Sequence, residues 1–570
     1  MKKLITLLLA LVMALGLFAG CQTAGGPGET TPPVVTDPPM DLPTDPPYLK
    51  EVIATTDITG GEEFLKYTLT QEHADGFSAD LVALEDALMA GTDWDLVESL
   101  DEKLNETVSY INSQQSIAYI LMSMYTEEPE YSQKYMDSTN ILADAVADYK
   151  EMARRVYQSD SALKEQYFAE WTEEEIQMIL NFDAEVVELE KRNAQILVEF
   201  RALDEDTISS DMIPLYREMV LNNNRIAQLA GYDNYYVYAY EKVHSRDYDP
   251  SQVQVMRRYT QKYIVPNFED ILRTTATLLQ NLSSVQRSKL LDLMQKKDFD
   301  RLEKNYVDNY LKSLPTGARD GMLSMFLDSR AVFANDKKAH EGAFTTEVND
   351  GLFCYFGPGY QNSFTTIHEL GHYYAINEFL EVNDNMGALS LDLAEVHSQA
   401  NEWLFLKYLS GQTDARVYKT LTYYRMYEDI AGIIVQLCID EFEERVYTHP
   451  NVASLTEADF DAIMKDVCRN YGGISFVEDY ITDIQWYWRM VVLESPVYYV
   501  SYAISCIAAL DVYFIANSDY DQAVDIYCDL VEGVDEEGGF LTNLERAGLH
   551  GPFEPYIYEQ IAAMAKRKIG

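Results

Sequence analysis

Apolar residues recur at three- and four-residue steps along almost the whole chain from about residue 60 onward, which is the spacing of one face of an α-helix. Segment 173–203 keeps this spacing throughout and predicts one long helix. Hydrophobic residues make up 47% of the 570 residues, so the helices have ample apolar surface with which to build a core. The pattern predicts a mainly α protein, with two lobes or one large helical body.

One stretch departs from the helical pattern. Residues 344–347 and 352–356 contain aromatic and β-branched side chains, and they flank an Asn-Asp-Gly sequence at 349–351. Asn-Asp-Gly between two such runs is a strong signal for a β-hairpin turn. We therefore expect a minor β-sheet immediately before the helix predicted at 363–380.

The N-terminus predicts export. Residues 1–20 contain two lysines, an apolar run and small residues before Cys21, which are the features of a secretory signal peptide. A cysteine in this place resembles the lipidation site of bacterial lipoproteins, with plain secretion as the alternative, and the run is too short to span a membrane. Residues 21–48 are rich in Pro, Thr and Gly and predict an extended tether. We expect an extracytoplasmic protein, anchored to the bacterial cell membrane by a lipid on Cys21.

Charge and cysteine content exclude two classes of protein. The chain has 93 acidic and 44 basic residues, a formal net charge of −49, and such a surface repels phosphate backbones. We therefore expect no nucleic-acid partner. Five of the six cysteines follow Cys21, an odd number without C-x-x-C spacing, so neither a disulfide framework nor a thiolate metal site is predicted.

The segment 363–380, SFTTIHELGHYYAINEFL, carries the pattern of a zinc site. His368 and His372 are four residues apart and share one helix face, so two imidazole nitrogens can reach one Zn²⁺ at ~2.0–2.1 Å. Glu369 is placed to take a proton from a water at the metal rather than to bind the metal. Gly371 keeps one helix face thin for close packing. This H-E-x-x-H pattern predicts a zinc-dependent peptidase.

A catalytic zinc site needs a third protein ligand and one open position. Twenty-two residues separate His372 from Glu395, enough for a loop and a returning helix that brings a carboxylate to the metal. Asp392, Glu402 and His397 are rival candidates. Asp392 or Glu402 could instead orient a ligand histidine, whereas His397 points away from the Glu395 face and is predicted to be a surface or packing residue.

These motifs resemble those of the oligoendopeptidase F family, zinc metallopeptidases similar to thimet oligopeptidase. That family has HELGH followed by an E-x-x-S-x-x-N-E helix. The second pattern is filled in order by Glu395, Ser398, Asn401 and Glu402.

The resemblance extends beyond the zinc motif. Segments 224–250 and 546–555 are similar to segments of the family on either side of the motif. The resemblance therefore covers about 205–566, the expected catalytic domain, and places 49–204 as an N-terminal helical lobe. It implies a two-lobed helical bowl with a deep channel, one Zn²⁺ at its base and peptide substrates of modest length.

The resemblance also implies how a substrate is held. The substrate backbone would pair with the edge strand before the zinc helix, taken here as Leu352–Phe356. Segment 494–505, ESPVYYVSYAIS, resembles the one that supplies oxyanion-binding tyrosines, with Tyr502 in that role and Tyr498 or Tyr499 as helper.

One departure from the family is clear. Relatives carry a histidine about ten residues before the oxyanion tyrosine, and segment 486–496 contains none. We expect Glu494 to take part of its place. The sequence therefore predicts a zinc metalloendopeptidase for oligopeptides. A surface lipoprotein that binds peptides with weak or lost catalysis, and a dipeptidyl carboxypeptidase, are the alternatives.

Overall fold

The structure is a computed structural model. It describes residues 60–203, 208–294, 303–334, 336–349, 351–382, 389–472, 491–534 and 539–566. The predicted signal peptide, the lipidated Cys21 and the tether lie outside these residues and stay predictions.

Most of the described residues are helical, which confirms the predicted mainly α class. The α-helices are α1 Gln71–Ala90, α2 Trp94–Met124, α3 Pro129–Gln158, α4 Lys164–Tyr167, α5 Glu173–Leu180, α6 Ala184–Arg201, α7 Ile208–Leu229, α8 Tyr235–Tyr238, α9 Pro250–Tyr259, α10 Val265–Gln280, α11 Ser284–Met294, α12 Glu303–Ser313, α13 Thr316–Leu327, α14 Ser363–Val382, α15 Leu391–Tyr408, α16 Ala415–Tyr447, α17 Glu457–Asn470, α18 Val500–Ser518, α19 Tyr520–Glu532, α20 Phe540–Arg546 and α21 Tyr556–Ala565. Short 3₁₀ segments occur at Gly60–Phe64, Leu409–Gly411 and Val452–Ser454, and π-helical turns at Ala239–Val243 and Thr260–Ile264.

The single helix predicted over 173–203 is two helices. Helix α5 ends at Leu180, and α6 begins at Ala184 because Asp183 caps it, its side chain accepting a hydrogen bond from the Glu185 N–H. An N-capping aspartate has non-helical backbone angles, so it interrupts a helix whose apolar spacing continues on both sides. The prediction of one continuous helix was wrong for this local reason.

A small mixed sheet precedes α14. Its strands are β1 Ala331–Phe333, β2 Ala343–Glu347 and β3 Leu352–Phe356. Strands β2 and β3 pair antiparallel, which confirms the predicted hairpin. Strand β1 pairs parallel with β3 on its other side, so the sheet order is β1-β3-β2. Leu352–Phe356 is therefore the central strand and not an edge strand. The prediction that it pairs with substrate was wrong, because both of its backbone edges are already bonded.

The sheet separates two packing regions. Phe344 and Tyr355 point to one face, where Phe344 meets Tyr119 of α2 with ring centroids 5.3 Å apart. Thr345 and Cys354 point to the opposite face, toward α14. Because neighbouring residues of a strand alternate between faces, the hairpin contacts an N-terminal helix on one side and the zinc-motif helix on the other.

The N-terminal helices have a hydrophobic core of their own. Buried residues between Leu69 and Ile179 form one cluster, and a much larger cluster extends from Ile196 to Ala565. Helix α18 belongs to the larger core. By length and composition it is the one helix within the described ranges that could cross a membrane, and 83% of its apolar window is buried against other helices.

Candidate metal centre

Helices α14 and α15 pack unusually close together at Gly371. A Cβ atom added to Gly371 would lie 2.8 Å from the Ser398 Cα and 2.9 Å from the His397 carbonyl oxygen. Real Cβ atoms do not approach backbone atoms so closely, so only glycine allows this crossing. The thin helix face predicted at Gly371 is thus the contact that brings the second helix to the first.

The crossing brings three predicted ligands together. The Nε2 atoms of His368 and His372 are each 3.6 Å from the Glu395 Oε2 atom. The potential ligand atoms of the three residues all lie within 4.8 Å of one another, and all three side chains are buried. Two imidazole nitrogens and one carboxylate oxygen therefore converge from two helices on one point.

The spacing fits a small divalent ion. Zinc takes imidazole and carboxylate ligands at ~2.0–2.2 Å in a tetrahedral arrangement, which places neighbouring ligand atoms about 3.4 Å apart. The 3.6 Å separations from Glu395 to both histidines are close to that value. A donor set of two imidazoles and a carboxylate without thiolate is also typical of catalytic zinc sites. The residues present can hold the metal ion with little rearrangement.

His368 is oriented by a carboxylate behind it. Its Nδ1 atom lies 2.8 Å from the Glu402 Oε1 atom, and the other Glu402 oxygen accepts a hydrogen bond of 2.5 Å from Arg425. Burial by itself lowers the pKa of His368, but the hydrogen bond and negative charge of Glu402 outweigh it and raise that pKa to about 9. Because Nδ1 is occupied by Glu402, Nε2 is the nitrogen presented to the metal position.

His372 has the opposite electrostatic character. Burial, together with the nearby imidazoles of His368 and His397, lowers the pKa of His372 well below its ordinary value. A neutral imidazole is the form that binds a metal ion, so His372 is already in its ligand state at neutral pH.

Glu395 is held by two hydroxyl groups. Tyr498 donates a hydrogen bond of 2.9 Å to Oε1, and Ser398 donates one of 3.2 Å to Oε2. Burial raises the pKa of Glu395, partly offset by the nearby His368 and these hydroxyls. A bound cation would stabilise the ionised form of this carboxylate.

Glu369 lies beside the three ligands, fully buried, at the sheet side of α14. Its Oε2 atom accepts a hydrogen bond of 2.7 Å from the Thr345 hydroxyl on β2. One carboxylate oxygen is thus fixed by the strand that precedes the helix. This contact orients the carboxylate of the predicted general base.

The rival ligand candidates lie elsewhere. Asp392 accepts a hydrogen bond of 2.7 Å from Tyr248 and lies 3.8 Å from the Arg246 Nε atom, so it orients neither histidine. His397 is fully buried and is not one of the three residues whose ligand atoms converge, which is consistent with a packing role. Of the two carboxylates considered for orienting a histidine, Glu402 makes that contact.

The predicted tyrosines form one cluster. The rings of Tyr502 and Tyr498 are 5.1 Å apart, and those of Tyr502 and Tyr499 are 5.5 Å apart. Tyr498 reaches the site directly through Glu395. Glu494 is buried and lies 3.3 Å from the Arg201 Nε atom, so it pairs with an N-terminal helix rather than with the metal ligands.

Three contributors to the site were not predicted. Thr345 contacts Glu369, and Arg425 contacts Glu402. Tyr310 donates a hydrogen bond of 2.6 Å to the Asn401 Oδ1 atom, and the Asn401 amide donates one of 2.8 Å to the carbonyl of Ile367, the residue before His368. Thr345 could have been suspected from its place on the hairpin before the motif. Tyr310 lies on α12, 91 residues before Asn401, and Arg425 lies on α16, 23 residues after Glu402. No local pattern marks either residue.

No model of a protein family matches the chain, and no curated protein matches it by sequence. Solved structures do match. PZ peptidase A, solved with an inhibitor, is 16% identical with a TM-score of 0.68, covering 88% of this chain and 99% of that one. A structure described as an oligoendopeptidase F from Bacillus anthracis is 15% identical with a TM-score of 0.66, covering 88% and 96%. The oligoendopeptidase-F from Enterococcus faecium is 14% identical with a TM-score of 0.51, covering 87% and 98%. The chain therefore has an oligoendopeptidase F-like fold.

Proposed function

We propose that this chain is a zinc-dependent metalloendopeptidase that hydrolyses oligopeptides. The observation that carries the proposal is the convergence of His368, His372 and Glu395 on one point, with Glu369 beside them. The likeness to structures that are named as peptidases supports the same class of reaction. Zinc would be held by the two imidazoles and the Glu395 carboxylate, one ion per chain.

The bound zinc would supply Lewis acidity and lower the pKa of a water. Glu369 would take the proton from that water as it attacks the peptide carbonyl, and then pass the proton to the leaving amine. Thr345 keeps the Glu369 carboxylate pointed into the site through its 2.7 Å hydrogen bond.

Two tyrosines would divide the remaining work. The Tyr502 ring lies 5.1 Å from the Tyr498 ring, and Tyr502 would donate a hydrogen bond to the oxyanion that forms from the carbonyl. Tyr498 donates to Glu395 and would hold that ligand in position. Tyr498 was expected to help bind the oxyanion, and we now propose that it supports the third ligand, Glu395.

We also propose that the protein acts outside the cytoplasm, tethered by a lipid on Cys21. The support is the signal-like segment, the cysteine that follows it and the Pro- and Thr-rich stretch at 21–48. Labelling of the expressed protein with a fatty-acid probe tests this. We expect the wild-type protein to be labelled and Cys21→Ala not to be. Equal labelling of the two proteins would contradict the proposal.

Glu369→Gln tests the proposed reaction. The amide keeps the shape of the side chain but cannot accept the proton, so we expect about one zinc per chain to remain and turnover to fall by about 10²–10⁴-fold. Cleavage of a quenched-peptide library and metal analysis measure the two effects. Glu378→Gln, the same change further along α14, is the control. Turnover in Glu369→Gln equal to wild type would overturn the assignment of the base.

The cleavage products separate the endopeptidase from its alternatives. A long peptide blocked at both ends is cut internally by an endopeptidase but is not shortened by a dipeptidyl carboxypeptidase. Mass-spectrometric mapping with and without a chelator distinguishes these outcomes. Binding of the peptide without chelator-sensitive cleavage would favour the peptide-binding lipoprotein.

A further inference from the structure

The turn before α18 contains a strained residue. Val497 has φ = +60°, in the left-handed region that β-branched residues adopt only at a cost in free energy. Its side chain is buried, with 1% exposed. Tyr498, the next residue, donates its hydroxyl hydrogen to Glu395. A high-energy backbone conformation therefore lies one residue from a group that contacts a proposed metal ligand.

Two buried polar side chains, a guanidinium and a carboxyl group, hold both peptide groups of this residue. The Val497 N–H donates a hydrogen bond of 2.8 Å to the Glu443 Oε1 atom. The Val497 carbonyl accepts one of 2.9 Å from the Arg246 Nη2 atom, which also donates one of 2.9 Å to the Ser501 hydroxyl in the first turn of α18. The charged Arg246 guanidinium makes strong hydrogen bonds in a buried place, and the Glu443 carboxyl oxygen accepts the second one, so these contacts can fix the unfavourable backbone angle. We call Arg246, Glu443 and Val497 the Val497 clamp.

The clamp is built on a rigid support. The Arg246 guanidinium lies over the Tyr240 ring, 4.3 Å from its centroid, and its Nε atom is 3.8 Å from Asp392. His244 adds a third contact to the turn, its Nε2–H donating to the Pro496 carbonyl at 3.2 Å. Ser245, between the two donors, also has a positive φ of 46°. Two strained segments therefore face each other through these hydrogen bonds.

The need to hydrogen-bond buried peptide groups does not by itself explain this arrangement. A turn with ordinary angles could satisfy its peptide groups without two buried ionisable side chains, whereas strain of this kind persists only where the surroundings over-determine it. Strained backbone that is held by its surroundings concentrates at functional sites. The group placed by this turn is the Tyr498 hydroxyl, 2.9 Å from the Glu395 Oε1 atom.

We propose that Arg246 and Glu443 are positioning residues of the metal centre. By holding Val497 at a positive φ they fix the start of α18, and so keep the Tyr498 hydroxyl on Glu395 and Tyr502 next to it. The inference rests on the proposed function, because it assumes that Glu395 is a metal ligand. The clamp acts on the proposed ligand Glu395 through Tyr498.

A glycine substitution separates this role from a merely structural one. Glycine adopts positive φ readily, so it holds the turn without the clamp, whereas alanine removes the valine side chain but keeps the strain. Glu443→Met deletes the acceptor at similar volume. It is expected to lower zinc affinity and kcat/KM about tenfold each, as loss of a supporting contact does. Glu443→Gln keeps an acceptor oxygen and is expected to behave like wild type.

The decisive variants combine the two positions. When Val497→Gly is added to Glu443→Met, zinc affinity and kcat/KM should each rise at least threefold above those of Glu443→Met. When Val497→Ala is added instead, neither quantity should rise. Zinc affinity is measured by competition with a chelator, and kcat/KM on a quenched peptide. Leu84→Ala, a buried change in α1, should lower the melting temperature and leave both quantities unchanged. If Glu443→Met does not fold, Arg246→Lys replaces it in the same comparison.

Several outcomes would overturn the proposal. Glu443→Met with wild-type zinc affinity and kcat/KM would do so, as would equal rescue by glycine and alanine. Failure of the proposed function looks different, because wild type itself would then bind no zinc and cleave no peptide. In that case the holding of Val497 by the clamp is tested by the melting temperature alone. Val497→Gly must raise the melting temperature of Glu443→Met by more than Val497→Ala does, and an equal effect of the two would refute it.

Discussion

Replacing Gly371 by alanine tests how closely the two helices that carry the proposed metal ligands must approach. The new Cβ would lie 2.8 Å from the Ser398 Cα atom and 2.9 Å from the His397 carbonyl oxygen. Both of these are backbone atoms of α15, so no side-chain rotation can relieve the contact. Ordinary contact begins near 3.4 Å, and the helices must therefore separate by about 0.6 Å at this crossing.

Two opposing effects decide the stability of this variant. Alanine in place of glycine favours a helix by about 0.8–1.0 kcal/mol. Overpacking of a tight core contact costs about 1–3 kcal/mol. We therefore expect Gly371→Ala to lower the free energy of unfolding by about 1 kcal/mol, in spite of its better helix propensity.

The same separation would weaken the metal site. Ser398 is one helical turn from Glu395, so a shift of α15 moves the Glu395 carboxylate away from His368 and His372. A misplacement of about 1 Å in a catalytic group can cost roughly 100-fold. We expect about tenfold lower zinc affinity for a shift of about 0.6 Å, measured by competition with a fluorescent chelator.

Gly76→Ala is the matched control. Gly76 lies inside α1, and a Cβ atom added to it would meet no packing neighbour within 4 Å, so only the gain in helix propensity should remain. Denaturant unfolding should show this variant to be more stable by about 0.5–1 kcal/mol, with zinc affinity unchanged. The reasoning would be refuted if Gly371→Ala were as stable as Gly76→Ala and bound zinc like wild type.

Two further predictions concern groups that support the site and the sheet. Glu402→Gln removes the negative charge beside the His368 Nδ1 atom and should lower zinc affinity by about 10–100-fold with the fold intact. Unchanged zinc affinity would contradict the role of Glu402 in orienting His368. Burial, helped by the charge of Arg201, lowers the pKa of His340 from 6.5 to about 4. Between pH 6.5 and about 4 the unfolded chain is therefore protonated at His340 while the folded chain is not. The free energy of unfolding falls as the pH drops through this range. Between pH 7 and 5 the His340 contribution is about 1–2 kcal/mol, so His340→Gln should lose correspondingly less stability than wild type in denaturant titrations at these pH values.

The sequence was sufficient for the parts of the site that depend on local spacing. His368, Glu369 and His372 follow from helical geometry. The need for a third ligand on a returning helix left rivals to Glu395, and the resemblance to the oligoendopeptidase F family favoured it. The Asn-Asp-Gly turn likewise predicted the hairpin of β2 and β3. In each case the sequence pattern and the residues that it brings together lie within one helix or strand or within two that are neighbours in the chain.

Long-range pairing was the part that could not be predicted. Strand β1 has three residues, too few for a periodic signal, and its parallel pairing with β3 turned the expected edge strand into the central one. The supporting residues Tyr310 and Glu443 lie 91 and 54 residues along the chain from Asn401 and Val497, which they support. The positive φ of Val497 likewise coincides with hydrogen bonds to Arg246 and Glu443, both distant in sequence, and the local sequence does not indicate it.

The central claim is that two imidazoles of α14 and one carboxylate of α15 hold a single metal ion. An anomalous difference map, collected at the zinc edge from crystals of the zinc-loaded protein, tests it directly. We predict one strong peak per chain, about 2.0–2.2 Å from the Nε2 atoms of His368 and His372 and from the Glu395 carboxylate. A map with no peak between these three side chains, or with its main peak elsewhere on the chain, would contradict the account.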